Sequence, residues 1–220
     1  MMTKRSYEDA CAAAHALDLI GERWALLVVR ELMLGAKRFT DLRSDLPQIS
    51  PNVLSQRLRE LEDYGIVQKK TLPPPAASQV YELTEWGLGL EPVLIQLGRW
   101  AIQSPFRPDA GISLTSLILS FRTMFNPEVA EGLSATYNLR LNDYPFVAQV
   151  EKGDFSVEPG QVDEPDVLIE TDHLTLAGLV YGRQPLGDAL SAGTVEVTGD
   201  EKAFERFLDF FLLPGVSPTA

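Results

Sequence analysis

The stretch Ile49-Ser50-Pro51-Asn52-Val53-Leu54-Ser55-Gln56-Arg57-Leu58-Arg59-Glu60-Leu61 decides how the first half of this 220-residue chain is read. Ser50 followed by Pro51 is a helix start. The hydroxyl accepts from a free amide N–H of the first turn, and proline has no N–H left over there. Val53, Leu54, Leu58 and Leu61 fall on one side at helical spacing, and Tyr64-Gly65 closes the helix. The opposite side carries Asn52, Ser55, Gln56 and Arg59, whose amide, hydroxyl and guanidinium groups suit base edges in a DNA major groove.

Upstream, Trp24 to Leu34 reads as a compact apolar helix ending at Gly35, and a second helix runs from Phe39 until Pro47 stops it. Downstream, Ile66–Leu72 and Val80–Leu83 read as strands joined by Pro73-Pro74-Pro75-Ala76-Ala77-Ser78-Gln79, a hairpin with a protruding tip. Thr84-Glu85 then opens a helix to about Gln103. Its stripe of Trp86, Leu90, Val93, Leu94, Leu97 and Trp100 is wider than a small three-helix core requires, and the surplus suits a second subunit. Helix, turn, capped helix and basic hairpin together predict a mainly α winged helix-turn-helix over residues 1–104, with one helix in the groove and the wing on the backbone. The predicted DNA-binding set is Arg38, Ser50, Pro51, Asn52, Ser55, Gln56, Arg59, Lys69 and Lys70, of which Arg38, Lys69 and Lys70, together with Lys37, neutralise phosphates. A plainer role stands beside the wing lysines, since edge lysines also keep a strand from pairing with another chain.

The net charge of -12 opposes DNA binding until its distribution is counted. Residues 1–104 hold 12 Lys+Arg against 13 Asp+Glu, and the remainder hold 7 against 18. The acid therefore lies in the second half, which leaves the first half free to approach a polyanion. Of the 10 phenylalanines only Phe39 precedes residue 105, so the two halves build their cores differently. The proline- and glycine-bearing residues 105–111 read as a linker between residues 1–104 and a second domain over 112–220.

An apolar fraction of 45% with 23% charged residues is that of an ordinary globular protein. Runs such as Leu26-Leu27-Val28-Val29 are too short to cross a bilayer, and Glu8, Asp9 and Asp18 interrupt any signal-like opening, so no membrane association and a cytoplasmic location are expected. Cys11 is the single cysteine and His15 and His173 the only histidines, so no metal site, cofactor or catalytic constellation is predicted, and the chain is not read as an enzyme.

Cys11, Ile20-Gly21-Glu22-Arg23-Trp24, Arg38-Phe39-Thr40-Asp41-Leu42, Leu54-Ser55-Gln56-Arg57-Leu58 and Tyr81-Glu82-Leu83-Thr84-Glu85-Trp86-Gly87 resemble the HxlR-type winged-helix regulators over roughly residues 9–103. The resemblance implies a homodimer formed by the N-terminal segment and the last helix, with two recognition helices about one DNA turn apart. It also implies a redox- or electrophile-sensing role for the cysteine matched by Cys11. Glu22 and Arg23 before Trp24, and the proline-rich wing tip, depart from the commoner pattern.

The second half, with a helix around Leu114–Phe125, strands near Thr136–Asn142 and Pro145–Glu151, Pro165-Asp166-Val167, Val197-Thr198-Gly199-Asp200 and a phenylalanine-rich terminal helix, resembles the sterol carrier protein type 2 fold. That resemblance implies an α+β domain with an apolar pocket for a lipid-like molecule, for which Leu117, Phe121, Phe125, Phe146, Leu179, Phe207 and Phe211 are the candidate lining. The combined expectation is a dimeric, DNA-binding transcription regulator modulated by a hydrophobic small-molecule effector. Its partners would be double-stranded DNA and a second copy. The alternative is a hydrophobic-ligand binding protein whose helix-turn-helix serves protein contacts.

Overall fold

The computed structural model describes residues 6–74, 77–106, 110–182 and 184–211. The wing-tip pair Pro75 and Ala76 and the linker residues 107–109 lie outside these, as do residues 212–220 of the second domain. The chain divides into two compact units, Met1–Leu94 and Ile95–Ala220.

In the first unit, α1 (Ala12–Ile20) precedes α2 (Ala25–Glu31), α3 (Phe39–Asp45) and α4 (Pro51–Asp63). Trp24 has φ +79°, outside the right-handed helical region, so α2 begins one residue later than the apolar pattern suggests. The α3–α4 turn follows from Pro47, and Ile49 N–H bonds back to the Leu46 carbonyl at 3.1 Å. Ser50 caps α4 as its sequence position requires, its hydroxyl accepting from Val53 N–H at 3.3 Å. Gly65, at φ +72°, ends the helix in a left-handed conformation that costs glycine nothing. The chain then enters β1 (Val67–Thr71), antiparallel to β2 (Gln79–Leu83). Leu42, Leu54, Leu58, Leu61, Ile66 and Val80 are buried together with Val28 and Val29. Each such side chain contributes about 1.5–3 kcal/mol by leaving water.

One expectation needs correction here. Thr84–Gln103 is not one helix but α5 (Glu85–Leu88) and α6 (Glu91–Ala101), interrupted at Gly89-Leu90. Pro92 lacks the N–H that a continuous helix would donate to the carbonyl four residues back, and it sits comfortably only in the first turn of a new helix. Moreover α6 contains no buried residue. The short helix α1 ahead of Trp24 also went unread, because six of its nine residues are alanine or leucine and neither a capping side chain nor an acidic first turn marks its start.

The second unit is an α+β layer. A mixed sheet of order β5-β4-β3-β6-β7 is built from β3 (Ser134–Leu141), β4 (Tyr144–Glu151), β5 (Asp154–Pro159), β6 (Val167–Thr171) and β7 (Val195–Gly199). β3 runs parallel to β6, and the other neighbours are antiparallel. Asn142-Asp143, at φ +51° and +68°, forms the two-residue turn between β3 and β4. Helices α7 (Leu114–Met124) and α10 (Glu201–Asp209) pack on the sheet, with α8 (His173–Val180) and α9 (Leu186–Ser191) beside them. Tyr137, Leu139 and Leu141 of β3 face inward, while Ser134 and Arg140 are exposed. At Gly199 a Cβ would stand 2.3 Å from the Asp166 carbonyl oxygen, so the Val-Thr-Gly-Asp signature reflects two strands meeting backbone to backbone.

Candidate nucleic-acid interface

The two sides of α4 separate as the leucine spacing requires. Leu54, Leu58 and Leu61 are buried, Asn52 and Arg59 are exposed, and Ser55 and Gln56 are half-buried. Arg59 Nε donates to the Ser55 carbonyl at 3.2 Å, a bond that steadies the side chain along the helix and engages one edge of its guanidinium. Gln56 Nε2 donates to Glu60 Oε1 at 2.9 Å. Ser50 and Pro51 are exposed at the head of the helix, where free N–H groups and the helix dipole favour an anion. The Ser50 hydroxyl, however, is already occupied by the cap.

The wing projects from the body. After buried Val67, every residue of β1 is exposed, including Gln68, Lys69 and Lys70. Lys69 Nζ lies 3.6 Å from Glu62 and 5.5 Å from the centre of the Tyr81 ring, while Lys70 Nζ lies 3.5 Å from Glu82. These are exposed pairs of small energetic weight, so a phosphate can compete for either ammonium. Arg38 is exposed at the head of α3, its Nε donating to the Ser78 hydroxyl at 3.2 Å, which ties it to the tip loop of the wing.

Lys37 is placed differently from its sequence expectation. Its ammonium turns inward, 2.7 Å from Asp45 and 3.2 Å from fully buried Glu31, which Arg30 also meets at 2.6 Å. Its backbone pairs with Tyr81 in both directions, at 2.9 and 2.8 Å. Taking this cation away would strip a positive partner from buried Glu31 and from Asp45, so the ammonium of Lys37 is committed to these two carboxylates.

Sequence reasoning also passed over Arg57. It lies on the apolar side of α4 and is 6% exposed, with Nη1 2.7 Å from Glu60 and 3.4 Å from Glu22. The available signal was its spacing: an arginine three residues after Leu54 and four before Leu61 stands at a core-facing helical position.

Cys11 is the exposed N-cap residue of α1. The backbone N–H of Ala14, then that of Ala13, holds its thiol below the ordinary value of 9.0. Elsewhere in the first unit, Leu17, Trp86, Leu88 and Val93 are exposed. Ala16, Leu19, Ile20, Ile66, Trp86 and Leu90 border an apolar cleft of about 180 Å³.

Of the seven candidate pocket residues in the second unit, Phe121, Phe125, Phe207 and Phe211 belong to one ring cluster. Leu117, Phe121, Phe146, Leu179, Phe207 and Phe211 are buried, and Phe125 is half-buried. Phe121 and Phe211 stack at 4.4 Å between ring centres, while Phe207 meets Phe121 edge-on at 5.7 Å and Phe211 at 5.0 Å. Burial pushes the Tyr137 hydroxyl up to about 12, and its O–H donates to the Ala203 carbonyl at 3.3 Å. Phe146 also borders an open groove of about 250 Å³ that includes Asn138, Arg140, Val162 and Leu168. Among the described residues no group of three or more His, Cys, Asp or Glu could hold a metal, and no helix is long and apolar enough to cross a membrane.

Comparison with known proteins separates the halves in the same way. Residues 110–214 match the family model described as alkyl sulfatase C-terminal, slightly less than half the chain. The α+β architecture stands, whereas the sterol-carrier likeness rests on its sequence signatures alone. Residues 19–106 match the model described as HxlR-like helix-turn-helix. Over 88 residues the chain is 38% identical to the HTH-type transcriptional regulator YvaP of Bacillus subtilis (strain 168), covering 40% of this chain and 82% of that protein. It is 40% identical to the HTH-type transcriptional regulator YodB of the same organism, covering 40% of this chain and 79% of YodB. The solved reduced form of YodB superposes with a TM-score of 0.41 at 36% identity, covering 46% of this chain and all of that one. A capped helix with its leucines inward, a projecting basic wing and this span of identity together place the chain in the HxlR-like helix-turn-helix family.

Proposed function

We propose that the protein is a dimeric DNA-binding transcription regulator whose α4 reads base edges while Arg38, Lys69 and Lys70 grip phosphates. The observation that carries this reading is the orientation of α4. Its leucines are buried, and Asn52, Ser55, Gln56 and Arg59 line the side turned from the core. The exposed apolar residues of α1, α5 and α6, with the cleft beside Trp86, supply a surface for a second copy. Selection of bound sequences from random DNA by the full chain tests the reading. On the selected site, at fixed salt, Gln56→Ala and Arg59→Ala each lose about 1–3 kcal/mol. Unchanged affinity in both variants would overturn the assigned face.

Cys11 is the proposed sensing residue. It is exposed, it heads a helix, and its thiol is held toward the thiolate, the form that attacks oxidants and electrophiles. Loss of operator response to a quinone or disulfide reagent in Cys11→Ser, with DNA affinity retained, tests this role.

A hydrophobic effector in the sterol-carrier-like second domain completes the reading. It would have to part rings that now lie 4.4 to 6.4 Å apart, so native mass spectrometry of the purified protein is the direct test. Copurified lipid together with an absence of salt-sensitive DNA binding would favour the ligand-carrier alternative instead.

A further inference from the structure

Glu60 has two oxygens with two different tasks. Oε2 lies 2.7 Å from Arg57 Nη1, and Oε1 accepts from Gln56 Nε2 at 2.9 Å. One carboxylate therefore joins a buried guanidinium to an amide of the base-reading set. Carboxylates accept hydrogen bonds and do not donate them, so the nitrogen of Gln56, and not its oxygen, must face Glu60. That fixes which way the amide is flipped. It leaves Oε1 and one N–H of Gln56 for an outside partner, the acceptor–donor pair that matches the major-groove edge of adenine. Arg57 anchors the arrangement electrostatically, because its buried Nη1 stands closest to Glu60 and a buried cation holds the carboxylate it is paired with. The same Nη1 lies 3.4 Å from Glu22, in the turn that follows α1, so the anchor is also tied to the segment preceding α2.

We propose that Arg57 is a positioning residue that, through Glu60, sets the amide orientation of Gln56 and hence the base Gln56 prefers. This rests on the reading of α4 as the base-contacting helix. The test starts from sites selected by the full-length wild-type chain, on which Gln56→Ala identifies the operator position that Gln56 reads. Discrimination at that position is then measured in Glu60→Ala, Glu60→Gln and Arg57→Lys, alongside thermal unfolding and the salt dependence of binding. Glu60→Ala should lose about tenfold in discrimination at that position alone, the scale of one paired amide–base contact. Other positions and the salt slope should hold. Glu60→Gln keeps an acceptor for the amide and should recover part of the loss, while Arg57→Lys keeps the charge but moves it from the position of Nη1 and should resemble Glu60→Ala. Wild-type discrimination in Glu60→Ala overturns the proposal, as does a loss spread evenly over all positions with a lowered unfolding temperature. If Arg57→Lys fails to fold, the two Glu60 variants decide alone. If Gln56→Ala alters no position, the reading of α4 itself fails, a result distinct from a Gln56 that reads DNA without help from Glu60.

Discussion

In both α4 and α10 a side-chain oxygen caps the first turn, Ser50 accepting from Val53 N–H at 3.3 Å and Asp200 from Lys202 N–H at 3.0 Å. Both helices bury one apolar side and leave a polar side outside, yet the outer sides differ in kind. On α10 it holds Glu201, Lys202, Glu205 and Arg206, mixed charges with Arg206 folded back to 3.7 Å from Asp200, in a half with a large acidic excess. On α4 it holds amide, hydroxyl and guanidinium groups beside a wing whose strand is exposed from Gln68 onward. A polar helix face is thus not by itself a reading surface. What distinguishes α4 is not its own charge, since each helix carries two bases and three acids, but paired donor–acceptor chemistry next to wing cations that can hold a backbone, in a half whose charges nearly balance.

The inner sides differ as well. Beneath α10, Phe204 and Phe207 meet Phe210, Phe211, Phe121 and Tyr137 in a ring cluster, whereas beneath α4 branched aliphatic side chains pack around one ion-paired arginine. The largest expected effect exploits this contrast. Phe207→Ala should lower the unfolding free energy of the second domain by about 3–5 kcal/mol, read as a shift of one calorimetric transition only. A matching shift in the transition of the first domain would break the comparison.

Next in size are the caps. Ser50→Ala and Asp200→Ala should each cost about 1 kcal/mol in chemical denaturation. Only Ser50→Ala should also weaken DNA binding, and equal loss of binding in both would contradict the division of labour. Smaller still, Lys69→Ala should reduce the slope of log affinity against log salt by about 0.9 and weaken all DNA sequences alike. A sequence-selective loss would move Lys69 from the backbone-gripping set to the reading set.

The smallest effect is a shift in pH. With its thiol depressed by the N–H groups of α1, Cys11 in the folded protein should show an alkylation rate that rises through an inflection below 9.0. In denaturant that inflection should move up toward 9.0, because the helix that lowers it is gone. Identical inflections in the two conditions would remove the helix as the cause.

Much of this was legible from short-range pattern. Ser50-Pro51, the leucine spacing of α4 and Gly65 define a helix from residues within a turn of one another, and the structure keeps that helix. Strand β5 escaped notice because Asp154-Phe155-Ser156-Val157-Glu158-Pro159 offers two apolar residues and ends in proline, a weak signal that suffices for an edge strand held by β4. The break between α5 and α6 was readable at Pro92 and was overridden by the apolar stripe that runs across it.

The sequence alone determined the periodic elements, their caps, the acidic bias of the second half and the polar set on α4, since each depends on residue type and on neighbours within a few positions. Only the tertiary structure decided that Lys37 turns toward Glu31 and Asp45, that Arg57 is shared between Glu60 and Glu22, and that the phenylalanines stack on one another. Ion-pair partners and the filling of space depend on which distant segments are brought within a few ångströms, and a charge or a ring looks the same in sequence whether it meets solvent, an anion or another ring.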